Sequence, residues 1–228
     1  MTAVLTARER ARRELTAEIL GAARRQLAEV GAAGLSVRAV ARELGMASSA
    51  VYRYFATRDE LLTALIVEAY DSCGAAVEAA SAAGGDRTPR DRFTAGCAAL
   101  RTWAVEHPHE FALVHGSPVP GYRGDERTTA AGSRSPLALL AVLAGADAVR
   151  ARQPGPPLGE QAARVLAAAA GGPAAQASPA VVVAGARAWT ALLGLVSSEL
   201  FGQLANTFDP ADAFFAEAVA SMADDLGL

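Results

Sequence analysis

The chain has 228 residues, of which 52% are hydrophobic and 20% are charged. That balance is enough to bury a sizeable core, and it excludes an intrinsically disordered chain. Cys73 and Cys97 are the only cysteines, which excludes a disulfide scaffold and a Cys-rich zinc site.

Charge is unevenly distributed along the chain. Residues 1–58 hold ten Arg and five Glu, a net charge of +5, whereas residues 59–228 hold eleven Arg and nineteen acidic residues, a net charge of −8. A basic N-terminal region followed by an acidic remainder indicates that the N-terminal region meets a polyanion.

The most hydrophobic stretch, residues 181–198, is long enough to raise the question of a membrane span. It contains Arg187, is rich in Ala, Gly, Ser and Thr, and has no flanking basic cluster. Charges between Arg8 and Glu18 interrupt the first apolar stretch, so no secretory signal is visible. We therefore expect a cytoplasmic protein with no membrane segment.

Apolar residues recur at helical spacing, and no segment has a convincing strand pattern. The sequence therefore predicts an all-α fold of eight or nine helices. The first helix is predicted to bury one face and to stop at Gly31 and Gly34. The residues predicted on this face are Leu15, Ile19, Ala22, Ala23, Leu27 and Val30.

Three further helices are predicted next. Ser36 is placed at the N-cap of a short second helix, which Gly45 ends, and a third helix runs from about Ser48 to Tyr54. The capping box Thr57-Arg58-Asp59-Glu60 opens a long fourth helix ending near Ala83. Its predicted inward face consists of Leu61, Leu62, Leu65, Ile66, Ala69, Cys73 and Val77.

Later helix starts are marked by a capping residue followed by proline. A loop rich in Gly, Pro, Ser and Thr is predicted between Gly116 and Arg134, and a loop of that length is usually functional or mobile. The predicted helix starts are Thr88-Pro89, Ser135-Pro136, Ser178-Pro179 and Asp209-Pro210.

Residues 36–58 have the spacing of a helix-turn-helix. Ala41 gives the small contact that two steeply crossing helices need, Gly45 supplies a positive φ for the turn, and Val51 anchors the second helix. The outward face of that helix is rich in hydrogen-bond donors, as a recognition helix in a major groove requires. An ordinary helical hairpin with a solvated face has the same spacing, but the local positive charge favours DNA binding. The outward residues are Ser48, Ser49, Tyr52 and Arg53.

The segment GAAGLSVRAVARELGMASSAVYRYFATRDELL closely resembles the DNA-binding domain of TetR-family transcriptional regulators. The resemblance covers about 50 residues and includes the Tyr52-Arg53-Tyr54-Phe55 run and the Leu61-Leu62 pair. Arg58 stands where the family usually has Lys, and both side chains bind phosphate. The resemblance implies an N-terminal arm and helix-turn-helix domain at 1–58 and a larger helical ligand-binding and dimerisation domain at 59–228.

The same resemblance implies roles for individual residues. Ser36 and Arg58 would bind phosphate, and Arg38 would reach phosphate or a base edge. Tyr52 and Tyr54 would contact phosphate, sugar or thymine methyl, although Tyr54 could instead pack beside Phe55 in the small core. The residues implied to face bases are Ser48, Ser49 and Arg53, with Ala50 against a methyl group.

Residues 100–124 resemble a WHG-like C-terminal domain found in one branch of the family. Its elements match Trp103 to Pro108 and His115-Gly116. Such domains enclose an apolar ligand pocket, although large apolar residues are often simply buried in a core, and for any one of these residues that is the more common outcome. The candidate lining residues are Cys97, Trp103, Phe111, His115, Trp189 and Leu193.

No catalytic site, metal site or cofactor is expected. His107, His109 and His115 lack the spacing of zinc ligands. The chain has no Gly-x-Ser-x-Gly, no phosphate-binding loop and no dinucleotide fingerprint.

The last two helices, about 179–205 and 210–226, are predicted to form a two-fold homodimer seam, an arrangement the resemblance also implies. The earlier helix is apolar nearly all round and carries small residues at every fourth position, which lets a neighbouring helix approach closely. Packing within one chain leaves the same signature. The predicted seam residues are Thr190, Gly194, Ser198, Gly202, Phe214, Ala218 and Met222.

Three functions remain open at this point. The favoured one is a homodimeric transcriptional repressor that binds a near-palindromic double-stranded DNA and is released by a small apolar or amphipathic effector. The second is a DNA-binding protein of the same fold that acts without a ligand. The third is an all-helical enzyme or carrier, which the donor-rich face at Tyr52 and Arg53 disfavours.

Overall fold

A computed structural model describes residues 6–82, 84–147, 149–169 and 172–228. Within these ranges the chain forms eleven α-helices and one short 3-10 helix, Pro173–Gln176, and no strand. The all-α prediction is therefore confirmed. The helices are α1 Ala7–Gly34, α2 Val37–Glu43, α3 Ser48–Val51, α4 Arg58–Ser81, α5 Pro89–Glu106, α6 Pro108–His115, α7 Glu126–Gly132, α8 Arg134–Ala144, α9 Pro156–Ala168, α10 Pro179–Leu200 and α11 Asp212–Leu226.

The chain folds into two compact units. The first comprises the chain up to Ala69 together with His109–Thr129, and the second comprises Tyr70–Pro108 and Ala130–Leu228. The division falls inside α4, whereas the domain boundary predicted from sequence lies at residue 58, where this helix begins. The predicted boundary at residue 58 between a DNA-binding domain and a ligand-binding domain remains a prediction.

Helix α1 contributes buried side chains to the core of the first unit. Its side chains Ile19, Ala22 and Ala23 are fully buried, and Gly31 interrupts the helical conformation at φ 68° and ψ 174°. Val30 was predicted on the inner face but is 54% exposed. It immediately precedes the Gly31 break, where the chain turns away from the helix axis.

Helix α4 buries all seven residues of its predicted inward face. The Thr57 hydroxyl accepts a hydrogen bond from the Glu60 N–H at 3.0 Å, as in a capping box. The Glu60 carboxylate reaches one residue further and accepts from the Ala56 N–H at 2.6 Å. The predicted end near Ala83 lies outside the described residues.

The second unit is a bundle in which α10 packs against α5, α8, α9 and α11. The N-terminus of α5 carries the predicted Thr88 cap as a full capping box with Asp91, and Ser178 caps α10. Arg101 on α5 joins the bundle electrostatically, because its guanidinium donates to the Glu199 carboxylate at 2.6 Å and to Asp212 at 2.8 Å.

Several predicted element ends differ from the structure. The segment predicted as a loop from 116 to 134 contains α7, so the loop is shorter. Helix α8 begins at Arg134, which leaves Ser135 buried inside the helix with its hydroxyl on the Cys73 sulfur at 3.6 Å. Helix α11 begins at Asp212 rather than Pro210.

Candidate nucleic-acid interface

The turn between α2 and α3 is built around Gly45. Gly45 has φ 64°, its N–H donates to the Arg42 carbonyl at 3.2 Å, and the Met46 N–H donates to the Ala41 carbonyl at 2.8 Å. This pair of bonds is a Schellman motif, which ends a helix with a left-handed residue. Ala41 and Val51 are buried at 1% and 0% exposure, so the contacts expected of a helix-turn-helix are present.

The outward face of α3 and of the turn that follows it presents donors; the helix ends at Val51 rather than near Tyr54 as predicted, so Tyr52 and Arg53 lie in this turn. Tyr52 is 42% exposed, and Ser49 and Arg53 are also exposed, whereas Ser48 and Ala50 are half-buried. Arg38 is exposed on α2. Arg38 and Arg53 form no ion pair with another residue of the described ranges, so both guanidinium groups face solvent with their donors available.

Ser36 occupies the N-cap position of α2, but its side chain makes no capping bond. Its backbone N–H instead donates to the Gln26 side-chain oxygen at 2.6 Å. Gln26 lies on α1 and is only 8% exposed. Sequence reasoning missed Gln26, whose only signal is a polar residue within the buried stripe of α1. The Ser36 hydroxyl is left for another partner.

Tyr54 is half-buried and packs against α1. The Arg12 guanidinium carbon lies 5.0 Å from the centroid of the Tyr54 ring, within the range of a cation–π contact. The two roles predicted for Tyr54 from the sequence, a DNA contact and packing beside Phe55, did not include this contact with Arg12.

Arg58 binds the end of α1. Its guanidinium donates to the Leu35 carbonyl at 2.9 Å, to Ala32 at 2.7 Å and to Ala33 at 3.2 Å. These carbonyls follow the Gly31 break at the C-terminal end of α1, where the Leu35 N–H also donates to the Ala32 carbonyl at 3.4 Å, so the arginine adds a side-chain cap to this helix end. The phosphate role implied for Arg58 remains a prediction.

Replacing Arg58 with alanine is expected to lower the free energy of unfolding by about 2–3 kcal/mol, because carbonyls bonded to a charged group lose their donor. Arg58→Lys is expected to recover little of this loss, since an ammonium cannot span the three carbonyls as a guanidinium does. Urea denaturation of the three proteins measures the effect. Stability of Arg58→Ala within about 0.5 kcal/mol of the wild type would show that the cap is unimportant.

Two family models match the chain. One, described as bacterial regulatory proteins of the tetR family, matches residues 19–65 and so contains the helix-turn-helix. The other, described as a tetracyclin repressor-like C-terminal domain, matches residues 93–222, which is more than half of the chain. The chain belongs to the TetR family. Its helix-turn-helix lies within the part matched by the model of bacterial regulatory proteins of this family.

Relatives of this TetR-family chain agree with that assignment. This chain is 49% identical over 127 residues to the HTH-type transcriptional regulator Rv1816 of Mycobacterium tuberculosis. The match covers 54% of this chain and 53% of Rv1816. The chain therefore spans about half the length of the curated relatives it matches. The crystal structure of SCO4313, described as a regulatory protein, is 32% identical, with a TM-score of 0.75 and coverage of 96% of this chain and 100% of SCO4313.

A more distant structure shows the fold alone. A TetR variant from Acinetobacter baumannii AYE, crystallised in complex with minocycline, is 19% identical with a TM-score of 0.50, and the match covers 90% of this chain and 92% of the variant.

The six candidate ligand residues of this TetR-family chain divide between the two units. In the first unit, Phe111 is fully buried and its ring lies 5.0 Å from that of half-buried His115. In the second unit, the Trp103 indole N–H donates to the Ser72 hydroxyl at 3.1 Å. Cys97, Trp189 and Leu193 also lie in the second unit. Cys97 is fully buried, and burial raises its thiol pKa to about 12.

Burial lowers the pKa of His115 from 6.5 to about 4. The unfolded chain titrates near 6.5, so between about pH 6.5 and pH 4 it binds more protons than the folded chain does. The free energy of unfolding therefore falls as the pH decreases through this window.

We expect the wild type to lose up to about 3 kcal/mol more stability than His115→Gln between about pH 7 and pH 4. Because the remaining ionisable groups are the same in both proteins, the difference between their losses of stability reports on the His115 imidazole alone. Denaturant unfolding at several pH values measures it. Parallel pH profiles of the two proteins would contradict the assignment of a neutral, buried imidazole.

The predicted dimer residues lie on α10, α11 and the segment between them. Gly194 and Thr190 are exposed, and Ser198, Phe214, Ala218 and Met222 are half-buried. Gly202 lies beyond α10 rather than on it, because the helix ends in a Schellman motif with Gly202 at φ 75°. The prediction that this helix extends to residue 205 is therefore wrong, whereas the role of these residues in a dimer is untested.

Helix α10 is long and apolar enough to cross a membrane, with a mean hydropathy of 1.6 over its most apolar window, of which 28% is buried within the chain. The core helix of a soluble protein meets the same criterion. No group of three or more metal-binding side chains occurs among the described residues.

Proposed function

We propose that this TetR-family regulator is a cytoplasmic repressor that binds a near-palindromic DNA as a homodimer and is released by a small apolar or amphipathic ligand. The observation that carries the DNA-binding part is the donor face formed by α3 and the turn after it, at Ser49, Tyr52 and Arg53, on a domain with a net charge of +5. A transcription regulator of this kind is in general not an enzyme.

The DNA contacts follow from this face. Arg53 is long enough for a bidentate contact with a guanine, and Tyr52 is exposed beside it. Ser36 offers a hydroxyl with no capping bond, and Arg38 a guanidinium with no ion pair among the described residues, both at the start of α2. We assign the complete surface to Ser36, Arg38, Ser48, Ser49, Ala50, Tyr52, Arg53, Tyr54 and Arg58.

The dimer is proposed to form through α10 and α11. Helix α10 has apolar side chains on most of its circumference but buries only part of them within one chain, so a second copy is the natural cover. Two recognition helices held by such a dimer would lie about one DNA turn apart, roughly 34–36 Å. That spacing is the reason for expecting a near-palindromic site.

Ligand release is proposed to act through α4. This helix begins at Arg58, where the DNA-binding domain ends, and continues as one unbroken element to Ser81 in the second unit. A rigid element of this length can carry a displacement from a ligand to the helix-turn-helix. Within the second unit, the ligand would lie among Cys97, Trp103, Trp189 and Leu193.

A regulator without a small ligand is the second candidate. The full burial of Cys97 and Phe111 favours it, because residues with no exposed surface are also what a plain core contains.

One screen separates these two candidates. Apolar and amphipathic compounds are tested for a rise in melting temperature and for release of a bound DNA duplex measured by fluorescence anisotropy. A ligand that favours the DNA-free state should weaken DNA binding by about 5–150-fold. Compounds of several classes that stabilise the protein and leave DNA affinity unchanged would contradict ligand release and favour the second candidate.

A further inference from the structure

Helix α1 begins well before the part of the chain that matches the family's DNA-binding model. The helix starts at Ala7, whereas the match starts at residue 19. The twelve residues of α1 before the match span about 18 Å at about 1.5 Å per residue. We refer to residues 7–18 as the N-terminal extension, since they precede the part of α1 that the family model matches.

The start of the extension is fixed by a complete capping box. The Thr6 hydroxyl accepts from the Glu9 N–H at 3.2 Å, and the Glu9 carboxylate accepts from the Thr6 N–H at 2.8 Å. These bonds hold the pKa of Glu9 below its ordinary value. The extension is thus a capped helix whose side chains have defined directions.

The first two turns of the extension are strongly basic. Residues 7–13 contain four arginines and one acid, Glu9, which is engaged at the cap. All four arginines are exposed. Arg8 and Arg10 form no ion pair with another residue in the described part of the chain, whereas Arg13 lies close enough to Glu9 to help lower the pKa of that carboxylate.

Among these arginines, Arg12 contacts a residue of the proposed DNA-binding surface. Its guanidinium lies over the Tyr54 ring at 5.0 Å, and Tyr54 belongs to the proposed DNA contacts. A guanidinium stacked on a ring keeps its N–H edge available for a phosphate. At about 3.6 residues per turn, Arg8 lies one turn earlier on the same face and Arg10 lies on the opposite face.

We propose that the N-terminal extension of α1 forms an additional phosphate-binding surface, in which Arg12 and Arg8 contact the DNA backbone next to Tyr54. The inference rests on the proposed DNA-binding function. It assigns these contacts to the sugar-phosphate backbone, so they add affinity without sequence preference.

The test compares Arg12→Gln with Arg10→Gln, two variants that remove one charge from opposite faces of the same helix. Affinity for a labelled duplex pool of random sequence, about 30 base pairs long, is measured from about 50 to 200 mM salt. The slope of log affinity against log salt should fall in magnitude by about 0.9 per bound protomer for Arg12→Gln. Between about 50 and 200 mM salt, the wild type should therefore lose about 3-fold more affinity than a variant that lacks one phosphate contact. Arg10→Gln should keep the wild-type slope, and Arg12→Lys should restore it.

Each outcome decides between the hypotheses. An unchanged slope in Arg12→Gln, or equal changes in Arg12→Gln and Arg10→Gln, would overturn the extension as a phosphate surface while wild-type binding upholds the proposed function. A wild type that does not bind duplex DNA would overturn both. Circular dichroism verifies folding, and if Arg12→Gln is misfolded, Arg8→Gln carries the same test and should lower the slope by the same amount.

Discussion

Replacing Tyr52 and Arg53 together with alanine is expected to reduce affinity for the operator by about 3–5 kcal/mol, because a bidentate arginine–guanine contact contributes about 1–3 kcal/mol and a hydrogen bond to a charged phosphate about 1.5–3 kcal/mol. Both side chains are exposed in the turn that directly follows α3. Their removal opens no cavity in the core around Val51, so the fold should survive.

A matched control makes this result specific. Arg164→Ala removes the same charge from an exposed position on α9 in the second unit and should leave operator affinity unchanged. Arg53→Ala alone should relax the preference at one base pair of each half-site. Wild-type affinity in a folded double variant would remove α3 from the DNA interface.

Replacing Gly194 with leucine is expected to disrupt the homodimer while leaving each protomer folded. A Cβ built at Gly194 has no atom within 4 Å, and the residue is exposed on α10. Within one chain the leucine therefore meets open space, and it favours the helix by about 0.8–1 kcal/mol over glycine. A loss of association would have to come from a second copy packed against this position.

Analytical ultracentrifugation at micromolar concentration measures that loss, with Gly194→Ala as the control that adds only a methyl group. The leucine variant should sediment as a monomer and bind the operator more weakly, since one half-site contact set is lost. A monomeric wild type, or an unchanged dimer in folded Gly194→Leu, would count against α10 as the seam.

Local patterns predicted much of this molecule. The positive φ at Gly45, the buried Ala41 and Val51, and the capping residue Thr88 are all found where the sequence placed them. These features depend on residues within one or two turns of each other, which is the range over which caps and hydrophobic periodicity act.

Contacts between distant segments could not be predicted in this way. Arg58 binds carbonyls 23 to 26 residues earlier in the chain, and Arg12 stacks on Tyr54, which no periodicity encodes. Gly202 illustrates a second limit, because a glycine in a row of small residues is equally suited to close packing or to a left-handed helix end. The sequence pattern is the same in both cases.

Selection of bound sequences from a random pool of duplexes tests the central claim most directly. The wild type should enrich a near-palindromic sequence whose half-sites are one helical turn apart, about 10–10.5 base pairs or a multiple of it, and the Tyr52→Ala, Arg53→Ala variant should enrich none. No enrichment by the wild type, or the same enriched sequence from the double variant, would contradict DNA recognition by α3.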